Sequence, residues 1–357
     1  MALPALDQQI ADFEVPAVEC GSIVARDLVS SSLQKSLRRG SLRTALVATK
    51  ILMEGDPEYF WRRLVTIVFE DFGLSNLILT NDVVIAAQRR EWRRRSNQSF
   101  KAAAYLIFKL SQTPRDRRID DLYMLAHACL KSAAYQQKVD HASVWLAPLV
   151  EETKRLCLLC ERPVPMRSIR ALNAGACESH LQKWDDKGLV TLVRQARKTS
   201  QCLLPMLLPP WLKLLVTQDQ SVTLLSKQSD GLVHEGILLE ALDGYTAMGR
   251  AILNSLVSKG SQIYRFIVSN GLSPQGRTAA MLLFAVEGSI LSQRFSDPLS
   301  EELGALAVGC WSGLSPDRVP HGLALMRELL PEIQSRRLEA LTASRNPSHH
   351  AQLGEHT

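Results

Sequence analysis

The chain has 357 residues, of which 46% are hydrophobic and 22% charged, with a formal charge of +6 and seven cysteines. That mixture excludes wholesale disorder, which needs low hydrophobicity and high net charge, and the length accommodates two domains. No run approaches the roughly 18 apolar residues of a membrane span, so no membrane partner is expected. The opening MALPALDQQIADFEVP carries acidic residues where a signal peptide has a basic end and an apolar core, and the expectation is a soluble, cytoplasmic protein. A disulfide framework is not expected in a chain of that size and compartment.

Residues 1–24 read as an N-terminal arm. The first strong pattern is SSSLQKSLRRG, residues 30–40. At 3.6 residues per turn, Ser31, Gln34, Lys35 and Arg38 share one helical face, while Val29, Leu33 and Leu37 line another. Ser41 can cap LRTALVATKILMEG, whose apolar stripe from Leu42 to Met53 ends at Gly55. Asp56 then caps EYFWRRLVTIVFEDFG, with Pro57 at the first helical position, where its missing N–H costs nothing. Further helices are expected over 82–95, 98–112, 119–138 and 142–156, which makes the fold class all-α.

Much of the positive charge sits in QRREWRRRSNQSFK, residues 88–101. On a continuous helix Arg89 and Arg93 share a face, as do Arg90 and Arg94, and with Arg95 they form a ridge about two turns long. Such a ridge suits phosphates, because each one neutralised releases counterions, and Trp92 could stack on a base. The alternative is a solvated helix face with Trp92 as a core anchor and the arginines snorkelling past it.

Residues 157–186 change character, with three cysteines, two prolines and little periodicity. Cys157, Cys160, Cys177 and His180 make C-x2-C-x16-C-x2-H, two pairs that can clamp adjacent corners of a tetrahedral zinc ion. Four protein ligands leave no corner for water, so the expected ion is structural. The pattern resembles treble-clef fingers. The alternative is three buried cysteines and a surface histidine. After this insert, CLLPMLLPPWLKLL reads as a buried connector. Helical patterns resume from about 233, and Asp243, Tyr245, Thr246, Gly249, Arg250 and Glu287 interrupt them as packing or as a polar seam. The tail from 346 is polar and expected to fray.

LVSSSLQKSLRRG and TALVATKILMEGDPEYFWRRLVTIVFEDFGLSN, followed by AYLIFKLSQTPRDRRIDDLY, resemble the C-terminal part of the maintenance-of-genome-stability protein A family (MgsA, also called RarA). The resemblance covers about residues 25–130. It implies an all-helical collar that assembles clamp-loader-like AAA+ ATPases into tetramers acting with DNA at stalled replication forks. On that basis residues 25–150 are expected to be a collar-like domain, 151–186 a small zinc-finger-like insert and 187–345 a second helical domain. No G-x-x-x-x-G-K-[ST] occurs, nor a single Gly-Lys dipeptide, so no ATPase activity is expected.

The polar stripe then has three candidate roles: a solvated face, phosphate contact, or a subunit interface. In the last, Ser31, Gln34, Lys35, Arg38, Glu70 and Asp71 would lie at the interface, where Arg38 could pair with an acidic group such as Glu70 or Asp71 on another helix. The expected function is a non-catalytic accessory of DNA replication or repair that binds DNA, forms a dimer or tetramer and contacts a replication or repair protein. Two alternatives stand beside it. One is a treble-clef zinc nuclease, for which the stretch LQKWDDKG after His180 offers Asp185 and Asp186 but no histidine; the other is a protein-interaction module without DNA contact.

Overall fold

Helix follows helix because caps recur at short intervals. The computed structural model describes residues 3–19, 25–95, 99–161, 172–217, 222–226, 231–274 and 277–343. Its helices are α1 (Leu3–Asp12), α2 (Arg26–Arg39), α3 (Leu42–Gly55), α4 (Pro57–Asp71), α5 (Leu77–Gln88), α6 (Arg90–Arg95), α7 (Ser99–Gln112), α8 (Arg118–Cys129) and α9 (Ala133–Asp140). There follow α10 (Leu146–Cys160), α11 (Ala174–Leu181), α12 (Lys187–Ser200), α13 (Leu208–Thr217), α14 (Ala247–Leu256), α15 (Gln262–Ser269), α16 (Arg277–Leu283), α17 (Pro298–Ala307) and α18 (Val319–Ala343). Strands β1 (Thr223–Ser226) and β4 (Gln293–Ser296) pair antiparallel, as do β2 (Val233–His234) and β3 (Ile237–Leu238). The fold is mainly helical, with two small sheets among the described residues. No described helix is long and apolar enough to cross a membrane.

The α3–α4 corner forms as its sequence dictates. The Asp56 side chain accepts from the Tyr59 N–H at 3.0 Å, and Pro57 occupies the first position of α4. At the end of α2, Gly40 adopts φ +72°, and a Cβ there would lie 3.2 Å from Nη2 of Arg115, whose Nε donates to the Leu37 carbonyl at 2.8 Å. Only glycine meets both conditions without strain.

Two apolar cores result. The larger gathers α1 to α13 and, late in the chain, Leu299 and Leu303 of α17. The smaller gathers β3, α14, α15, α16 and α18. Helix α2 serves both: Val29, Leu33 and Leu37 are fully buried in the first, and Leu28 enters the second. Each such side chain contributes roughly 1.5–3 kcal/mol by leaving water. The lobes are also tied where the Arg115 N–H donates to the Gln293 carbonyl of β4 at 2.8 Å.

Several boundaries differ from expectation, each for a local reason. The helix expected over 82–95 begins at Leu77, because Asn76 caps it, and breaks at Arg89, where ψ is +59°. The segment 119–138 is two helices, α8 and α9. The helix expected over 142–156 runs on to Cys160, so CLLC is a helical turn and not a knuckle. From 233 the chain first makes the β2–β3 hairpin, with Glu235 and Gly236 both at positive φ, the geometry of a tight primed turn. The connector 202–215 is buried over Leu203–Leu208 and at Trp211, as expected, but it is helical, with a 3-10 turn leading into α13.

Candidate functional site

The polar stripe of α2 faces inward, into the seam between the lobes. Arg38 Nε donates to Asp71 Oδ1 at 2.8 Å, and its Nη1 donates to the Gly288 carbonyl at 2.7 Å. Gln34 donates to Asp71 at 2.8 Å and to Glu70. The Lys35 ammonium pairs with Asp243 and donates to Ser31 Oγ at 2.8 Å. Ser31, Gln34, Lys35, Arg38, Glu70 and Asp71 therefore meet one another, and the second lobe, within one chain. The chemistry expected at a subunit interface is spent internally.

Charge explains how so polar a seam survives burial. Burial alone would raise the Asp71 pKa, but Arg38 and Arg117, with the Gln34 amide, outweigh it and hold the carboxyl below its usual range. Lys35 is pulled below the usual lysine value by burial, against the opposing pull of Asp243. Around Arg117, which pairs with Asp71 at 2.9 Å and also with Asp120 and Asp121, the carboxylates are crowded. Burial first, with Glu70 and Asp121 adding to it against Arg117, pushes Asp120 up to about 7. Removing Asp71, the buried carboxylate shared by Arg38 and Arg117, strands their charge at about 3–5 kcal/mol.

The seam opens into a cavity of about 580 Å³ bordered by this stripe and by Tyr59, Tyr245, Phe284 and Trp311. Tyr245 is 53% exposed, and its ring meets Phe284 edge-on at 6.2 Å. A second recess of about 620 Å³ is bordered by Arg62, Arg90 and Lys198, with Glu58 as its one acidic wall residue among the described residues. Glu58 is already taken up by Arg90 at 2.8 Å and Arg93 at 3.1 Å. Arg62 and Lys198 are exposed and make no ion pair among the described residues. The two recesses share Arg62 and Gln201 as a common wall.

The arginine ridge is divided by the break at Arg89. Arg89 pairs with Asp7 at 3.4 Å and lies 6.0 Å from the Trp92 ring centre. Arg90 stays exposed. Arg93 is 4% exposed; it donates to the Ala86 carbonyl at 2.6 Å, closing the end of α5, and lies over Trp61 at 4.9 Å. Trp92 packs against the larger core. The side chains of Arg94 and Arg95 lie outside the described residues. Two of the six residues expected on a nucleic-acid ridge thus do packing and capping work.

The four expected zinc ligands are not brought to one point. Cys160 and Cys177 are buried side by side, and their hydrogen bond lowers the Cys177 thiol to about 7 while raising that of Cys160. His180 Nε2 accepts from the Trp184 indole at 3.3 Å, and burial, with Lys183 and Arg155, lowers its pKa to about 4. Cys157 is turned toward His127 and Glu161, with which its ligand atom lies within 4.8 Å. Residues 162–171 of the expected insert lie outside the described residues. Asp243 and Glu287 do form a polar seam: Asp243 takes Lys35, and Glu287 takes Arg337.

Sequence reasoning missed Lys198, Gln201 and Asp120 as wall residues. A signal for Lys198 was there, because KGLVTLVRQARKTS is strongly amphipathic and places it on the polar face. Comparison of the chain with protein-family models, curated proteins and solved structures found no match.

Proposed function

We propose that the chain is a non-catalytic, collar-like accessory protein of DNA replication or repair that binds single-stranded nucleic acid. The phosphate backbone lies in the recess of Arg62, Arg90 and Lys198, and an unstacked base rests on the aromatic wall of the interlobe cavity. The observation that carries this reading is the shared wall of the two recesses. Arg62 and Lys198, exposed and without a carboxylate partner among the described residues, with Arg90 beside them shared with Glu58 alone, favour a polyanion, since each neutralised phosphate releases counterions. Aromatic faces next to them favour a single strand, because stacking needs a base already out of the duplex and tolerates any sequence. The resemblance of residues 25–130 to a collar that works with DNA supports the same class of partner. Self-association into a dimer or tetramer would use surfaces other than the α2 stripe.

The test uses fluorescence anisotropy with a labelled single strand and its duplex. Tyr245→Ala is expected to weaken single-strand binding about tenfold, the scale of one lost base stack, and to leave duplex binding unchanged. Equal affinity of the wild type for both forms, together with no effect of Tyr245→Ala, would remove the cavity from the reading.

A further inference from the structure

Three potential metal ligands from two helices converge behind the wall of the interlobe cavity. His127 lies on α8, Cys157 on the last turn of α10, and Glu161 just past its end. Four residues apart, Cys157 and Glu161 share a helix face. His127 Nε2 is 3.0 Å from Glu161 Oε2, and the ligand atoms of all three lie within 4.8 Å of one another. In a tetrahedral zinc site with bonds of about 2.0–2.3 Å the ligand atoms stand about 3.3–3.8 Å apart, so small side-chain adjustments suffice.

The surroundings favour a cation. Both acidic groups sit at the carbonyl end of a 15-residue helix, the end at which negative charge is disfavoured. Both are buried, at 2% for Cys157 and 8% for the Glu161 side chain. An outer layer is also in place. Tyr123 Oη donates to Glu161 Oε1 at 2.6 Å, leaving Oε2 toward His127. The Tyr123 and Trp311 rings hold the imidazole edge-on from 4.6 and 5.9 Å. Such partners fix ligand orientation in metal sites.

We propose that His127, Cys157 and Glu161 hold one zinc ion, which clamps α8 to α10 behind Tyr123 and Trp311. The mixed nitrogen, sulfur and oxygen donor set suits zinc better than magnesium or calcium, which prefer oxygen alone. Binding replaces the Cys157 thiol proton with a zinc–sulfur bond, and the proton leaves to solvent. Cys160, Cys177 and His180 are not ligands in this assignment, which stands independently of nucleic-acid binding.

Full-length protein purified without a metal-binding tag should contain about one zinc per chain by elemental analysis. His127→Gln, Cys157→Ser and Glu161→Gln should each weaken zinc binding at least about tenfold, and Tyr123→Phe by a similar factor with the fold intact. Cys160→Ser, Cys177→Ser and His180→Gln should leave the stoichiometry unchanged. Cobalt(II) added to metal-free wild type should give a thiolate charge-transfer band, a readout that needs no variant to fold. Absence of that band, or zinc lost from His180→Gln but kept in His127→Gln, would overturn the assignment.

Discussion

Asp120 shows how the seam decides its own protonation. Glu70, Asp71, Asp120 and Asp121 face Arg38, Arg63 and Arg117, so one acidic group exceeds the cations available. Asp120 takes the proton, with its pKa raised from 3.8 to about 7. Between those values the folded chain holds a proton that the unfolded chain has released, so this group makes stability fall as pH rises from about 4 to about 7. Asp120→Asn removes that loss. Its Tm should exceed the wild type's by about 3 °C or more at pH 8 and by under about 1 °C at pH 4. The same difference at both pH values would show that Asp120 does not carry the proton. At this scale the sequence was half legible. It set Arg38 against Glu70 or Asp71 without choosing between them and placed the contact between subunits, because guanidinium–carboxylate chemistry is identical within a chain and between chains.

Among the elements, α14 holds the turn that presents Asp243 to Lys35. Thr246 caps the helix by accepting from the Gly249 N–H at 3.1 Å, and Gly249 lies so close to the turn that a Cβ would stand 2.0 Å from the Asp243 carbonyl oxygen. Replacing a helical glycine with alanine ordinarily stabilises by about 0.4–1 kcal/mol. Here Gly249→Ala should destabilise by about 1–3 kcal/mol, measured by denaturant unfolding, because the turn must move. A stabilising effect would show that the turn is free to shift. Caps at Asp56 and Pro57 were legible because their signals are local. The β2–β3 hairpin was not: two residues per strand show no alternation, and Glu-Gly is a weaker turn signal than Asn-Gly. The CLLC turn misled because ligand spacing is silent about backbone form, and α10 carries Cys157 around to face His127.

For the whole molecule, α2 is the shared wall of two lobes, and the proposed function makes the basic recess a track for phosphates. The all-α class was legible from periodicity, but the cavity was not, since Tyr59, Tyr245 and Trp311 come from distant parts of the chain. The cationic wall was partly hidden for the same reason: the arginine-rich run suggested one ridge, whereas Arg62, Arg90 and Lys198 come together from three helices. The most direct test is the salt dependence of single-strand binding for the wild type and for Arg62→Ala/Arg90→Ala/Lys198→Ala. With about 0.7 counterions released per phosphate contact, the slope of log K against log salt should be shallower in the triple variant by about 2. Equal slopes, or no single-strand binding by the wild type at low salt, would contradict the account.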